Sequence, residues 1–330
     1  MAMPNEYLDA QTRAAAFSHA HFLMQIYGTI PAAKLLEGFQ FAGQRVPFVN
    51  PQRGIFKPRI MRHLLSIRTV HPKPGGKVWY DDQREIHRRI FGANETFGYD
   101  FMGDDPDAAE NRWMREAMLS QIPVIYFLGI APGRYQAILP TYVVGWDAHA
   151  LRAEIAFGFA ERQSEVPTQR PKTNEGFADP PTEFLAGAPP PEERRYALRT
   201  VKQRLHQAYF REAVLAAYSG RCAFSGLPEP LLLDAAHIVE DRDERWGQPS
   251  VANGLPLSKV HHAAFDAHLI GVDPDYRIHV SERLLHRHDG EILRALQQLK
   301  GTTIHLPKRA QDAPSRERLE VRFAQFRAAG

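Results

Sequence analysis

Residues 231–266 read LLLDAAHIVEDRDERWGQPSVANGLPLSKVHHAAFD, and this stretch decides the fold of the C-terminal part of the chain. LLLDAAHI is a short apolar run of strand length. EDRDERWGQPSVAN lacks periodicity and carries turn residues, so an irregular polar loop is expected there. SKVHHAAFDAHL reads as the next helix. Strand, long loop and helix therefore follow in immediate succession, and YRIHVSE beyond them reads as another strand.

Four side chains in this stretch carry chemistry. His237 closes the strand, where a fixed backbone can aim its imidazole at a water molecule. Asn253, followed by Gly254, opens a tight turn, and its amide can tie the loop back to the strand. His262 and Asp266 are four residues apart and project from one helix face. An imidazole nitrogen and a carboxylate oxygen at that spacing can bind one cation. Sixteen residues separate His237 from Asn253, and nine separate Asn253 from His262. The chain has 15 histidines, and His261, His268 and His279 are read as bystanders.

The segments RCAFSG, LLLDAAHI, NGLPLSKVHHAAFD, IGVD and RIHVSE together resemble the HNH endonucleases, in the branch found in bacterial restriction enzymes. The likeness runs from about Arg195 to Leu285. That family carries its His, Asn and His on a ββα-metal fold. The resemblance implies that His237 is the general base, Asn253 the loop-fixing residue and His262 a metal ligand, with Asp266 a second ligand. Many members place a further ligand just before the catalytic His. Here that position is Ala236, and Asp234, two residues earlier on the strand, is the candidate replacement. Some relatives also hold a four-cysteine zinc site, whereas Cys222 is the only cysteine here and reads as a small core residue. The implied cofactor is one divalent cation, Mg²⁺ or Mn²⁺, with Ni²⁺ also compatible with mixed nitrogen and oxygen ligation.

Outward from this block, residues 161–191 are rich in Pro, Gly, Thr and Glu and end in Pro189-Pro190-Pro191, which predicts an extended linker. It divides a domain at 1–160 from one at 192–330. Glu192–Tyr218 reads as one or two helices that stop at Ser219-Gly220, and carries the basic run Arg194, Arg195, Arg199, Lys202 and Arg204. The N-terminal part mixes helix signals (Thr12–Tyr27, Asn111–Gln121) with strand signals (Leu65–Val70, Pro123–Leu128, Thr141–Trp146). The expected class is α+β, with strands that can close into a barrel.

In order, LLSIRTV, WYDD, FGYDFMG, ENRWMREAM, PVIYFLG and YQAILPTYVVGWD resemble the SRA domain, a PUA-like β-barrel that reads modified cytosine. A twelve-residue basic insertion, Gln83–Asn94, separates the two halves. The resemblance implies base flipping, with Trp79 and Tyr99 as the aromatic sandwich and Asp82 as acceptor for the exocyclic amine. Lys57, Arg59, Arg88 and Arg89 would contact phosphates. Flipping fits the chemistry, because a base inside a duplex hides its Watson–Crick edge.

Composition sets wider bounds. A formal net charge of +3 with a pI near 8.9 is compatible with nucleic-acid binding without arguing for it. A single cysteine excludes an internal disulfide and suits a reducing compartment. With no signal-peptide-like start and no apolar run of membrane-span length, a cytoplasmic protein is expected.

Joined together, these readings give a modification-dependent DNA endonuclease that restricts foreign DNA near 5-methylcytosine or hydroxymethylcytosine. Its partner is double-stranded DNA, and cutting both strands with one centre per chain implies a homodimer or two successive encounters. The alternatives are an HNH endonuclease whose N-terminal domain reads unmodified sequence or DNA structure, and a non-catalytic binder of modified DNA.

Overall fold

The computed structural model describes residues 4–71, 96–158, 191–241, 243, 245–288 and 290–329. The chain divides into two compact units, Met1–Leu205 and His206–Gly330. Both helices and sheets are present, an α+β composition. The linker predicted at 161–191 lies outside the described residues except for Pro191, which opens a single helix, Pro191–Ala217. Among the described residues no helix is long and apolar enough to cross a membrane.

Helix Pro4–Tyr27 begins well before Thr12, where the apolar periodicity starts. Its early buried face is polar: Asp9, Thr12 and Arg13 are all buried. The Asp9 carboxylate accepts from Arg13 Nη2 at 2.9 Å and from the backbone N–H of Arg62 and His63. Arg13 Nη1 donates to the carbonyls of Leu64 and Pro123 at 2.7 and 2.8 Å. Burial pushes the Arg13 pKa down, and the Asp9 charge opposes that. A buried pair with its remaining donors and acceptors satisfied is the arrangement that repays desolvation.

Seven strands form the main sheet: β1 (Ile30–Pro31), β4 (Ile55–Phe56), β5 (Ser66–Thr69), β6 (Phe97–Asp100), β7 (Val124–Ala131), β8 (Arg134–Asp147) and β9 (Arg152–Phe157). Their order is β4-β5-β7-β8-β9-β6, with β1 added on β8, and β2 (Phe39–Phe41) and β3 (Gln44–Val46) form a separate hairpin. The β5–β7 pair is parallel and the others are antiparallel. Strand β7 is buried on both faces, which is why VIYFLGI reads as a continuous apolar run. Ile125 and Phe127 enter a core with Phe48 and Leu35, while Tyr126 points the other way toward Phe97 and Tyr99.

The sheet curls into a half-barrel. Tyr99, on the terminal strand β6, donates its hydroxyl to the carbonyls of Gly54 and Arg68 at 3.2 and 3.1 Å, beside and within the strands at the opposite end. Among the described residues the two ends thus meet through a side chain, without strand pairing.

The second unit is built on the hairpin of β10 (Leu233–His237) and β11 (Gly254–Ser258), whose register sets His237 opposite Gly254. A helix, Lys259–Asp266, follows directly, and Ser258 caps it by accepting from the His261 N–H. The pair β12 (Ile270–Val272) and β13 (Ile278–Val280) and the helix Arg316–Ala329 complete a core around Leu233, Ala236, Leu257, Phe265 and Leu319.

Candidate active site

His237 stands at the last position of β10, half-buried against Phe210 of helix Pro191–Ala217. The two rings are stacked, with centroids 3.9 Å apart and planes 9° apart. Residue 254, facing His237, has no room for a side chain: a Cβ there would sit 2.4 Å from Val214 Cγ2 and 2.8 Å from Phe210 Cζ. Glycine at 254 is therefore a packing requirement of the Phe210 platform under the histidine.

Burial is the largest influence on His237 and lowers its pKa below the ordinary 6.5. The charge of His262 acts in the same direction, while Asp241 and Asp266 oppose it. The imidazole is thus neutral near pH 7, the state a proton acceptor needs. Its Nε2 lies 2.7 Å from Asp241 Oδ1. That approach lacks hydrogen-bond directionality, and Nε2 is buried without a hydrogen-bond partner among the described residues. The contact is an electrostatic one between the Asp241 carboxylate and the Nε2 edge of the ring.

Asn253 is fully buried in the turn preceding β11. Its Oδ1 accepts from the Val239 N–H at 3.0 Å, and its Nδ2 donates to the Val239 and Gln248 carbonyls at 2.9 and 3.3 Å. Its own carbonyl accepts from the Ile238 N–H at 2.9 Å. The side chain pins both ends of the polar loop onto the residues that follow His237.

His262 and Asp266 share one helix face, with Nε2 and Oδ2 3.3 Å apart. Two donors each about 2.1 Å from one cation and at right angles would be about 3.0 Å apart, so the pair fits a shared ion. Both are open to solvent, at 26% and 59% exposure. Asp234 faces the other ring nitrogen, its Oδ2 3.9 Å from His262 Nδ1. Ala236, buried and without a donor atom, turns into the core. Among the described residues no group of three or more His, Cys, Asp or Glu side chains is arranged to hold a metal ion. The spacing of His262 and Asp266 would suit an ion held by these two side chains alone.

Three neighbours of the site carried no sequence signal strong enough to single them out. Phe210 lies on a helix outside the strand–loop–helix block, and Asp241 is one of several acids in EDRDER. Arg322, from the helix Arg316–Ala329, is buried; it donates to the Phe265 carbonyl at 2.7 Å and brings Nη2 to 3.8 Å from Asp266 Oδ1. Its guanidinium also lies 4.6 Å from the Phe265 ring centroid. Cys222 is buried as expected, but its Sγ also lies 3.3 Å from His261 Nδ1. Burial alone would raise the thiol; the hydrogen bonds from His261, Ser225 and Ser258 prevail and bring it to about 6.

In the N-terminal unit, Trp79, Asp82, Arg88 and Arg89 lie outside the described residues. Tyr99 is 5% exposed and tied through its hydroxyl to two carbonyls, so it is packed as sheet core. Lys57 and Arg59 line one cavity together with Trp113.

Residues 222–273 match the model of the HNH endonuclease family. Among solved structures, a modification-dependent TagI restriction endonuclease matches with a TM-score of 0.31 and 11% identity, over 84% of this chain and 86% of its own. No curated protein sequence matches the chain. Strand, loop and helix with His237, Asn253 and His262 all fall inside the matched segment: residues 222–273 are an HNH endonuclease domain.

Proposed function

We propose that the chain is a divalent-metal-dependent DNA endonuclease in which His237 takes the proton from the attacking water. The observation that carries this is a half-buried imidazole, its pKa lowered chiefly by burial, held between Phe210 and Asp241 and within electrostatic reach of His262 and Asp266. A general base needs an unprotonated nitrogen in a fixed direction. Phe210 fixes the ring plane, and the Asp241 carboxylate beside Nε2 favours the proton on that nitrogen, leaving Nδ1 to accept. Asn253 holds the loop that carries Asp241. His262 and Asp266 would hold the cation, with Asp234 steadying the ring from its far side. When bound, that ion supplies neutralisation of the scissile phosphate and of the departing oxygen. Mg²⁺ and Mn²⁺ suit this donor pair, and Ni²⁺ is tolerated by it.

The substrate reading extends to double-stranded DNA carrying modified cytosine, delivered by the N-terminal unit. Its support is the SRA-like order of segments, with Trp79 and Asp82 as the base-contacting pair.

Digestion of matched unmodified, methylated and hydroxymethylated duplexes with Mg²⁺ or Mn²⁺, and with chelator, tests both parts. Metal-dependent cutting confined to modified DNA is the expected result. Cutting of all three alike would leave the endonuclease and remove the reader; no cutting of any duplex in any of these metals would remove the endonuclease.

A further inference from the structure

The helix Arg316–Ala329 lies well outside the strand–loop–helix block, yet two of its arginines reach the two halves of the candidate active site. Arg318 and Arg322 are four residues apart and so project from one face of that helix. Their targets differ. Arg318 takes hold of the polar loop that follows His237. Its Nε donates to the Trp246 carbonyl at 2.8 Å, its Nη2 to Gln248 Oε1 at 2.9 Å and its Nη1 to Ser250 Oγ at 3.3 Å. Just before the helix, the Ser315 N–H donates to the Ala252 carbonyl at 2.9 Å and fastens the same loop near its far end. All three nitrogens of Arg318 are thus used on neutral acceptors of one loop.

Arg322 takes hold of the other half. Its Nη2 donates to the Phe265 carbonyl at 2.7 Å and lies 3.8 Å from Asp266 Oδ1. The last carbonyls of a helix lack their usual partner within it, and a guanidinium can supply a donor. Arg322 is buried, which lowers its pKa, while the charges of Asp266 and of Glu240 in the loop oppose that. The Asp266 carboxylate is therefore divided: Oδ1 faces Arg322, and Oδ2 faces His262 Nε2 at 3.3 Å. A carboxylate with one oxygen turned to a fixed cation has the direction of its other oxygen set in advance.

We propose that Arg318 and Arg322 are positioning residues that act as a pair. From one helix face they hold the loop beside His237 and the helix of His262 and Asp266 at a fixed separation, and Arg322 turns Oδ2 of Asp266 toward the metal. The proposal rests on the endonuclease reading for what is positioned. Each arginine acts through the element it holds.

The test uses the full chain, with Mn²⁺ binding followed by calorimetry, duplex binding by anisotropy in chelator, and steady-state cleavage at saturating Mn²⁺. Arg322→Met keeps an unbranched chain against Phe265 and removes the charge. It should weaken Mn²⁺ binding about tenfold or more, the usual scale for losing a group that orients a metal ligand. Arg322→Lys restores a cation beside Asp266 and should recover much of that affinity, whereas a role in packing alone would leave Lys no better than Met. Arg318→Met should keep the parental Mn²⁺ affinity and lower kcat with little change in KM, because the loop is released while the metal ligands stay held. A clamp needs both ends, so at saturating Mn²⁺ the double variant should lose about as much kcat as the more damaging single variant, rather than the product of the two losses. Duplex affinity in chelator should stay parental throughout.

Mn²⁺ titrations of Arg322→Met that overlay a parent that binds the ion overturn the proposal and leave the endonuclease standing. So do kcat losses that multiply, because the two arginines would then act independently. A fall in duplex affinity in chelator would make them DNA contacts and overturn it as well. If the parent cuts no DNA but Mn²⁺ binding responds as expected in both Arg322 variants, the positioning of Asp266 stands and the endonuclease reading falls.

Discussion

The imidazole of His237 lies flat on the ring of Phe210, 3.9 Å away between centroids. This contact does two things at once. It removes one face of the histidine from water, which keeps the ring neutral, and it prevents the ring from turning about its bond to the strand.

A pH dependence follows. His237 has its pKa lowered, chiefly by burial, so the active neutral form persists to a lower pH than for a free histidine. The rate should fall only as the pH drops below the ordinary value of 6.5, and should be flat above it. The kcat profile between acid and neutral pH checks this; an acid limb centred above 6.5 would contradict the assignment. Phe210→Leu keeps an apolar neighbour but not a flat platform, and should lower kcat with little change in KM.

His237→Ala should reduce cleavage by a factor of about 10² or more while DNA affinity stays the same. Single-turnover cleavage and binding in chelator separate the two quantities. Near-parental cleavage would remove His237 from the role of base.

Metal should be required for cutting. Asp266→Ala and His262→Ala should each shift the metal titration of cleavage to higher concentration, because each deletes one of the two donors. Asp234→Asn should shift it less, since Asp234 faces the nitrogen turned away from Asp266. Isothermal titration with Mn²⁺ provides a readout independent of activity. A titration for Asp266→Ala that overlays the parent would break the ligand assignment.

Asn253→Ala should unfasten the loop. It leaves the buried N–H and carbonyl of Val239 without their partners, at a cost of about 1–3 kcal/mol for each group left unsatisfied. Thermal unfolding should show a clear fall in Tm, and cleavage should fall beyond what that fall explains, because Asp241 loses its anchor. An unchanged Tm would show that water satisfies these groups and that the loop does not depend on the amide.

The nuclease block was legible because its chemistry is local. His237, Asn253, His262 and Asp266 lie within one strand–loop–helix run, and each position is set by a short-range rule of strand, turn or helix spacing. The supporting residues were illegible for the opposite reason. Phe210 and Arg322 reach the site from distant helices, and sequence spacing says nothing about such contacts. The N-terminal helix shows a second limit. Asp9 and Arg13 occupy its buried face, so the apolar pattern vanishes where a charged pair replaces it. Strand β8 shows a third: it runs from Arg134 to Asp147, longer than Thr141–Trp146, because its first half is paired with β7 and β1 rather than announced by alternation. Tyr99 looked like a stacking face from its FGYD setting, and the curled sheet uses it instead to join its two ends.

Arg322 grips the carbonyl of Phe265 and approaches Asp266 from a helix well beyond residue 273. The helix that carries His262 and Asp266 therefore depends on a part of the chain made later. A nascent chain that has just emerged past the histidines still lacks the helix that steadies the turn carrying Phe265 and Asp266. Only when Arg316–Ala329 has been synthesised and has folded back does that turn acquire its support. A fragment ending at residue 273 would therefore carry both histidines and Asp266 without the guanidinium that braces their helix.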